Sequence, residues 1–358
     1  MLNKDQNQEA SNGGIAVQGG RDVKIEVMNL GLNYKDVQDI AKNEALIVFR
    51  DNFPKLTDEA MKLVSSRGEA IREDFFSKLQ KENPDGIYQA SSPDFQDALF
   101  TVQKEHSKAG DEDLGALLVD LLIDRTKETS RTTLQIVLNE SLHVAPKLTS
   151  IHLAVLGVIF FLRYTENVGV VNYQLLNQHL SSHIGSFANL MPKNYGALQH
   201  LQFAGCGSIS MGTISLENIF RNQYCGLFNK GFEVKRLSEL GITISGNNAT
   251  FFVPCLNDVN KLQVNALVRD SLKTMLLNNN VSIEDQQKIE QLFQENMMND
   301  IEIKEKVILD SPFMDSIFNA WMAAKLGNFE LTSVGIAIGH ANIKRFRGEF
   351  SDLSIWIN

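Results

Sequence analysis

The chain has 358 residues, enough for roughly two to three folding units with sizeable cores. Hydrophobic residues at 43%, charged residues at 22% and only 7 prolines exclude a low-complexity tail, a disulfide miniprotein and a membrane-embedded chain. Lys plus Arg at 34 against Asp plus Glu at 43 leaves a net charge of −9, a field that repels phosphate backbones and argues against a DNA-coating role.

Residues 1–14 are polar, with Gly13 and Gly14 at their end, and lack both the apolar surface that would offset ordering entropy and the apolar run of a secretory signal. A mobile lead-in is expected there. Ile15 and Val17, the turn-like Gln18 to Asp22, then Val23, Ile25 and Val27 follow a period of two, predicting two very short strands over the rest of 1–28. An isolated hairpin is marginal in water, so its apolar face must be covered by the chain itself or by other copies. Residues 29–86 read as a helical hairpin. Tyr34, Val37, Ile40, Ala41, Ile47 and Val48 trace the first stripe, with Asn33 available as its cap and Pro54 as its end. The second helix runs from Thr57 to about Glu82. Its Met61, Val64, Gly68, Ile71, Phe75 and Leu79 form a narrow seam suited to a helix partner, in the same chain or in a second copy.

The stretch 87–168 predicts a four-helix bundle, punctuated by Ser92-Pro93-Asp94, Gly110-Asp111, Ser130 as the cap of the third helix, and Pro146 with Thr149 or Ser150. The apolar run Ile151 to Leu162 is too short to span about 30 Å of hydrocarbon, so it reads as a buried core helix, with peripheral membrane contact as the other reading. Between 169 and 256, helices near 172–190, 194–204 and 215–228 precede Phe232 to Leu240 and the β-prone Ala249 to Val253, the skeleton of a winged-helix-like module. A C-terminal α+β region, 257–358, holds the charged amphipathic pair Ser282 to Lys306, a helix over Thr332 to Arg345 and a terminal strand at Asp352 to Ile357. The fold class expected is mainly α with small β elements.

Few residues carry a chemical signal. Cys206, Cys225 and Cys255 have no CxxC spacing and read as reduced thiols of a cytosolic protein. His179 and His183 share the spacing of a zincin pair without its glutamate, so no metal is assigned. His106, His143, His152, His200 and His340 are scattered. Gly205-Cys206-Gly207-Ser208 lacks the strand and helix of a nucleophile elbow, and neither Gly pair belongs to a phosphate loop. Asp111, Glu112 and Asp113 suit a helix start. Lys344, Arg345 and Arg347, with Phe346 among them, are the compact basic cluster and a candidate anion or membrane contact.

Asp111 to Leu122, a helix over 131–142 and Ala145 to Ser150 before an apolar helix together resemble bacterial abortive-infection alpha proteins. The resemblance continues in Tyr195 to Leu201 and Arg236 to Ile242 and spans roughly residues 90–255. The stretches 20–82 and 256–358 are additions to the family's pattern, and Gln202 to Cys206 replaces a cleaner turn. The strand tag followed by Leu32 to Val37 also resembles Gly-rich leaders of bacterial conflict-system proteins. These resemblances imply a cytoplasmic protein of phage defence, with no catalytic residue to carry over.

The function expected is thus a non-enzymatic, self-associating defence component that binds an infection-specific partner, without a cofactor. Self-association would use Ile15, Val17, Val23, Ile25, Val27, Met61, Val64, Ile71, Phe75 and Leu79. Two alternatives stand beside it: a winged-helix nucleic-acid regulator using Lys193, Arg221, Lys230, Lys235 and Arg236, and a hydrolase whose site is assembled from scattered residues.

Overall fold

Beginning at Asp58, the seam helix α1 (Asp58–Glu82) carries two acids in its first turn, where they complement the helix dipole. The computed structural model describes residues 58–242, 250–348 and 350–358, with Lys35 and Asp39 before them. The strand pair at Ile15 to Val27 lies outside the described residues; of the helix expected from Asn33, only Lys35 and Asp39 are described, and both are helical. The seam is covered within the chain: Ile71, Phe75 and Leu79 are fully buried against α2 (Pro93–Ala109) and α3 (Glu112–Thr126), and the Phe75 and Phe95 rings lie 6.0 Å apart. Val64 is also buried and Met61 is half-buried. Of the self-association candidates, these five are therefore largely spent on the chain's own core, because a seam this narrow is filled by a single neighbouring layer.

The expected four-helix block forms as α2, α3, α4 (Thr133–Val144) and α5 (Ser150–Tyr164). Gly110 ends α2 with φ +63°, a left-handed conformation that suits glycine. Asp111 then caps α3 by accepting the Leu114 N–H, so the acidic run does serve a helix start. The cap of α4 is Thr132, which accepts the Gln135 N–H at 3.0 Å, and Ser130 lies two residues too early.

Further along come α6 (Tyr173–Ile184), α7 (Gly196–Phe203), β1 (Gly207–Ile209) and α8 (Leu216–Gln223). Leu176, Leu198, Leu201, Ile219 and Phe220 of these helices belong to the same core as the bundle. After the short α9 (Lys235–Glu239), β2 (Phe252–Pro254) pairs antiparallel with β3 (Leu262–Val264), with Val253 opposite Gln263. This hairpin packs with α10 (Arg269–Asn278) and α11 (Ile283–Glu295) in a second, smaller core containing Phe232, Phe252, Leu272, Ile289 and Phe293. The winged-helix expectation is revised accordingly. Its three helices sit in the main core, its hairpin sits in the second one, and Lys235 to Glu239 is helical.

The charged stretch forms α11 and α12 (Asp300–Asp310), capped by Ser282 and Asn299. After α13 (Met314–Ala323), β4 (Phe329–Leu331) returns to pair antiparallel with β1, Ser208 facing Glu330. The last helix, α14 (Ser333–Arg347), threads the main core against α5, α3, α4 and α6. Its glycines permit that approach: a Cβ on Gly339 would meet the Leu156 carbonyl at 2.8 Å, and one on Gly335 the Cys206 carbonyl at 1.9 Å. The terminal strand does not form; Leu353–Ile355 is a 3-10 turn. The described residues are thus mainly helical with small antiparallel strand pairs, and no helix among them is long and apolar enough to cross a membrane.

Candidate functional site

Every residue of α14 from Gly335 to Lys344 is buried, including His340, Asn342 and Lys344. Buried polar groups require partners, and each of these three residues has at least one, while His340 Nδ1 and Asn342 Oδ1 have none among the described residues. The Asn342 amide donates to the Leu153 carbonyl at 2.9 Å, His340 donates from Nε2 to the Ser351 carbonyl at 2.7 Å, and Lys344 Nζ lies 2.9 Å from Asp124 Oδ1. Lys344 also reaches Glu82, while Lys78 bonds Asp120, so α1, α3 and α14 share one ionic cluster. Burial pushes Asp124 up, yet Lys344 and Lys127 outweigh it and hold the carboxyl below its ordinary range. Burial dominates at Asp120 and raises it, with Lys78 and Lys344 opposing.

The basic cluster seen in the sequence is therefore divided. Lys344 is only 8% exposed and bound to Asp124, so it is no anion or membrane contact. Arg345 is engaged with Asp113, through its carboxylate and its backbone carbonyl. Arg347 is exposed and, among the described residues, has no ion pair or hydrogen bond. It lines a cleft of about 550 Å³ between α6, the segment after α5 and the C-terminal segment. The other walls are Tyr164, Glu166, Asn167, His179, His183, Phe350 and Trp356.

On α6 the two histidines are one turn apart, with ring centroids at 4.7 Å, and both rest on Phe161. His183 donates from Nδ1 to the His179 carbonyl at 2.7 Å, which leaves its Nε2 as a bare acceptor in the neutral ring. Burial, then the neighbouring His183 and Arg347, push His179 down to about 4. His183 is lowered chiefly by burial, with Arg347 adding to it. Both rings are neutral near pH 7, so among the described residues the cleft offers one free cation, two neutral imidazoles and several aromatic faces, with Glu166 as an acidic member.

A larger groove of about 690 Å³ runs between α2 and α4 past Asp94, Asp97, Glu140 and His143. Its Asp94 is already bonded by Arg125 and Ser92. Among the described residues no three His, Cys, Asp or Glu side chains converge so as to hold a metal ion. Sequence reading found the histidine pair and the basic cluster separately but not their meeting. The signal present was the HxxxH spacing and the unpaired tail of a basic run; what joins them is the packing of α14 beside α6.

A mainly helical fold with small strand pairs and one cation-bearing aromatic cleft sets the class of the molecule. The family described as ":-like" matches residues 31–357, and the chain belongs to it. No curated protein and no solved structure matches the chain.

Proposed function

We propose that this chain is a non-enzymatic recognition component that receives an acidic group of a partner molecule in the Arg347 cleft. The observation that carries the reading is Arg347 itself, exposed and unpaired beside Trp356 while its two basic neighbours are occupied. A guanidinium in an aromatic-walled cleft binds carboxylate or phosphate by charge-assisted hydrogen bonds. The neutral His183 Nε2 adds an acceptor for a donor on the same partner. Phage defence as the setting, and the cytoplasm as the place, rest on the resemblance over roughly residues 90–255. Self-association rests on Ile15, Val17, Val23, Ile25 and Val27, outside the described residues.

The nucleic-acid alternative draws less support. Arg221 pairs with Asp300, Lys230 with Glu302, Lys235 with Glu233 and Arg236 with Glu239 and Glu295, which consumes the positive potential that phosphates would need. The hydrolase alternative needs a histidine nitrogen free to take a nucleophile's proton; Ser182 Oγ lies 3.1 Å from His183 Nδ1, but that nitrogen carries the hydrogen it donates to the His179 carbonyl.

Trp356 makes the proposal measurable, since the chain has only 2 tryptophans and the other, Trp321, is held by the Ile214 carbonyl. In a Trp321→Phe background, titration with inorganic phosphate or N-acetylaspartate is expected to change Trp356 emission saturably, and Arg347→Met to move the midpoint to about 10- to 100-fold higher concentration. A flat response in the parent, or an identical one in Arg347→Met, contradicts the reading.

A further inference from the structure

On the other side of Phe350 and Ser351 lies a second hollow of about 140 Å³, bounded by α3, α14 and the C-terminal turn. Two of its wall residues carry buried atoms with no partner: Asp124 Oδ2 and His340 Nδ1. Asp124 is 7% exposed and His340 is 2% exposed. The Ser351 carbonyl only accepts, so the His340 Nε2 bonded to it carries the hydrogen, and in the neutral ring Nδ1 is a bare lone pair. Asp124 spends Oδ1 on Lys344 and Lys127. Both orphan atoms are therefore acceptors. Buried acceptors left unmatched are costly, and only a donor relieves them.

We propose that this hollow is a binding site for a small protonated amine, ammonium or a short primary alkylammonium, which donates to Asp124 Oδ2 and His340 Nδ1. The lining favours that charge. Glu128 and Asp352 balance Lys127 and Lys344, so Asp124 leaves the whole lining one negative charge in excess, and the Phe350 ring adds a face for a cation. At about 140 Å³ the space exceeds the roughly 10–15 Å³ that one water needs, so it admits methylammonium or ethylammonium. A metal ion would lack a third ligand of the usual kinds among the described residues. Ser351 and Asp352 are exposed, so the hollow opens to solvent at that turn. Burial lowers His340, which keeps its lone pair available.

The test uses the full chain with its histidines labelled by nitrogen-15 and the His340 signals assigned with His340→Gln. Methylammonium chloride is titrated at constant ionic strength, with tetramethylammonium, which has the same charge and no N–H, as the control. A saturable shift of the His340 Nδ1 resonance with methylammonium, absent with tetramethylammonium, is the expected result. No saturable shift, or the same shift with both cations, overturns the proposal and leaves the hollow to water. The comparison of two cations on the unaltered chain holds even if a variant at position 340 fails to fold, and it is independent of the Arg347 reading, whose probes are anions.

Discussion

Lys344 Nζ reaches Asp124 Oδ1 at 2.9 Å across the interface of α14 and α3, with both side chains about nine-tenths buried. Breaking a buried pair from one side leaves Asp124 with only the half-exposed Lys127, so Lys344→Met is expected to destabilise the fold by about 3 kcal/mol, the low end of what an unpaired buried charge costs. The double variant Lys344→Met, Asp124→Leu removes both charges and is expected to recover a large part of that loss. Urea unfolding of the single and double variants decides it. A double variant no more stable than Lys344→Met would show that the pair's worth lies elsewhere.

Gly335 tests how α14 is seated. A Cβ there would stand 1.9 Å from the Cys206 carbonyl oxygen, a backbone atom that cannot swing aside. Gly335→Ala should therefore push the start of α14 away from the strand pair β1–β4 and cost about 1–3 kcal/mol. Gly212→Ala, with open space around its Cβ, is the matched control and should leave the thermal midpoint nearly unchanged.

Acid should weaken the fold through its histidines. His179 falls to about 4, and His183 and His340 are also lowered, so the native state refuses protons that the unfolded chain accepts. With an unfolded histidine value of about 6.5, stability is flat above that pH and drops as pH falls from there towards about 4. His179→Phe should flatten the slope of thermal midpoint against pH in this window. An unchanged slope would remove His179 from the explanation.

Much of the architecture was legible in local signals. Asp58 and Glu59 after Thr57, Ser92-Pro93, Gly110-Asp111 and the start of the charged stretch at Ser282 each mark a helix end within a residue or two. Of the strands, β2 was legible, since Phe252 and Val253 fall in the β-prone stretch, and the others were not. At three residues each they show no alternation, and β1 pairs with β4 across more than a hundred residues, through a contact that no window on the sequence contains. The expected terminal strand failed for a related reason. Leu353 and Ile357 are buried while Ile355 is exposed, a turn's pattern, and Trp356 is held by an indole bond to the Tyr164 carbonyl. The basic run at 344–347 was visible as a cluster, yet only packing shows that Asp124 and Asp113 take its first two members and leave Arg347.

Assembly is a separate expectation. The seam of α1 is filled by α2 and α3, so of the residues expected to self-associate only Ile15, Val17, Val23, Ile25 and Val27, outside the described residues, are left to be tested. Light scattering of the full chain should give a multiple of the 40.0 kDa monomer mass, and a chain starting at Asn29 should give the monomer. Equal masses at monomer size for both would exclude a role for Ile15 to Val27 in assembly.

Recognition of an acidic partner group stands or falls on Arg347, and calorimetric titration of N-acetylaspartate into the full chain is the most direct measurement. Losing one charge-assisted hydrogen bond of roughly 1.5–3 kcal/mol predicts that Arg347→Met weakens binding about 10- to 100-fold, while Lys344→Arg, inside the core, leaves it unchanged in chains that fold. Heat of binding that is absent in the parent chain, or equal in the parent and Arg347→Met, would contradict it.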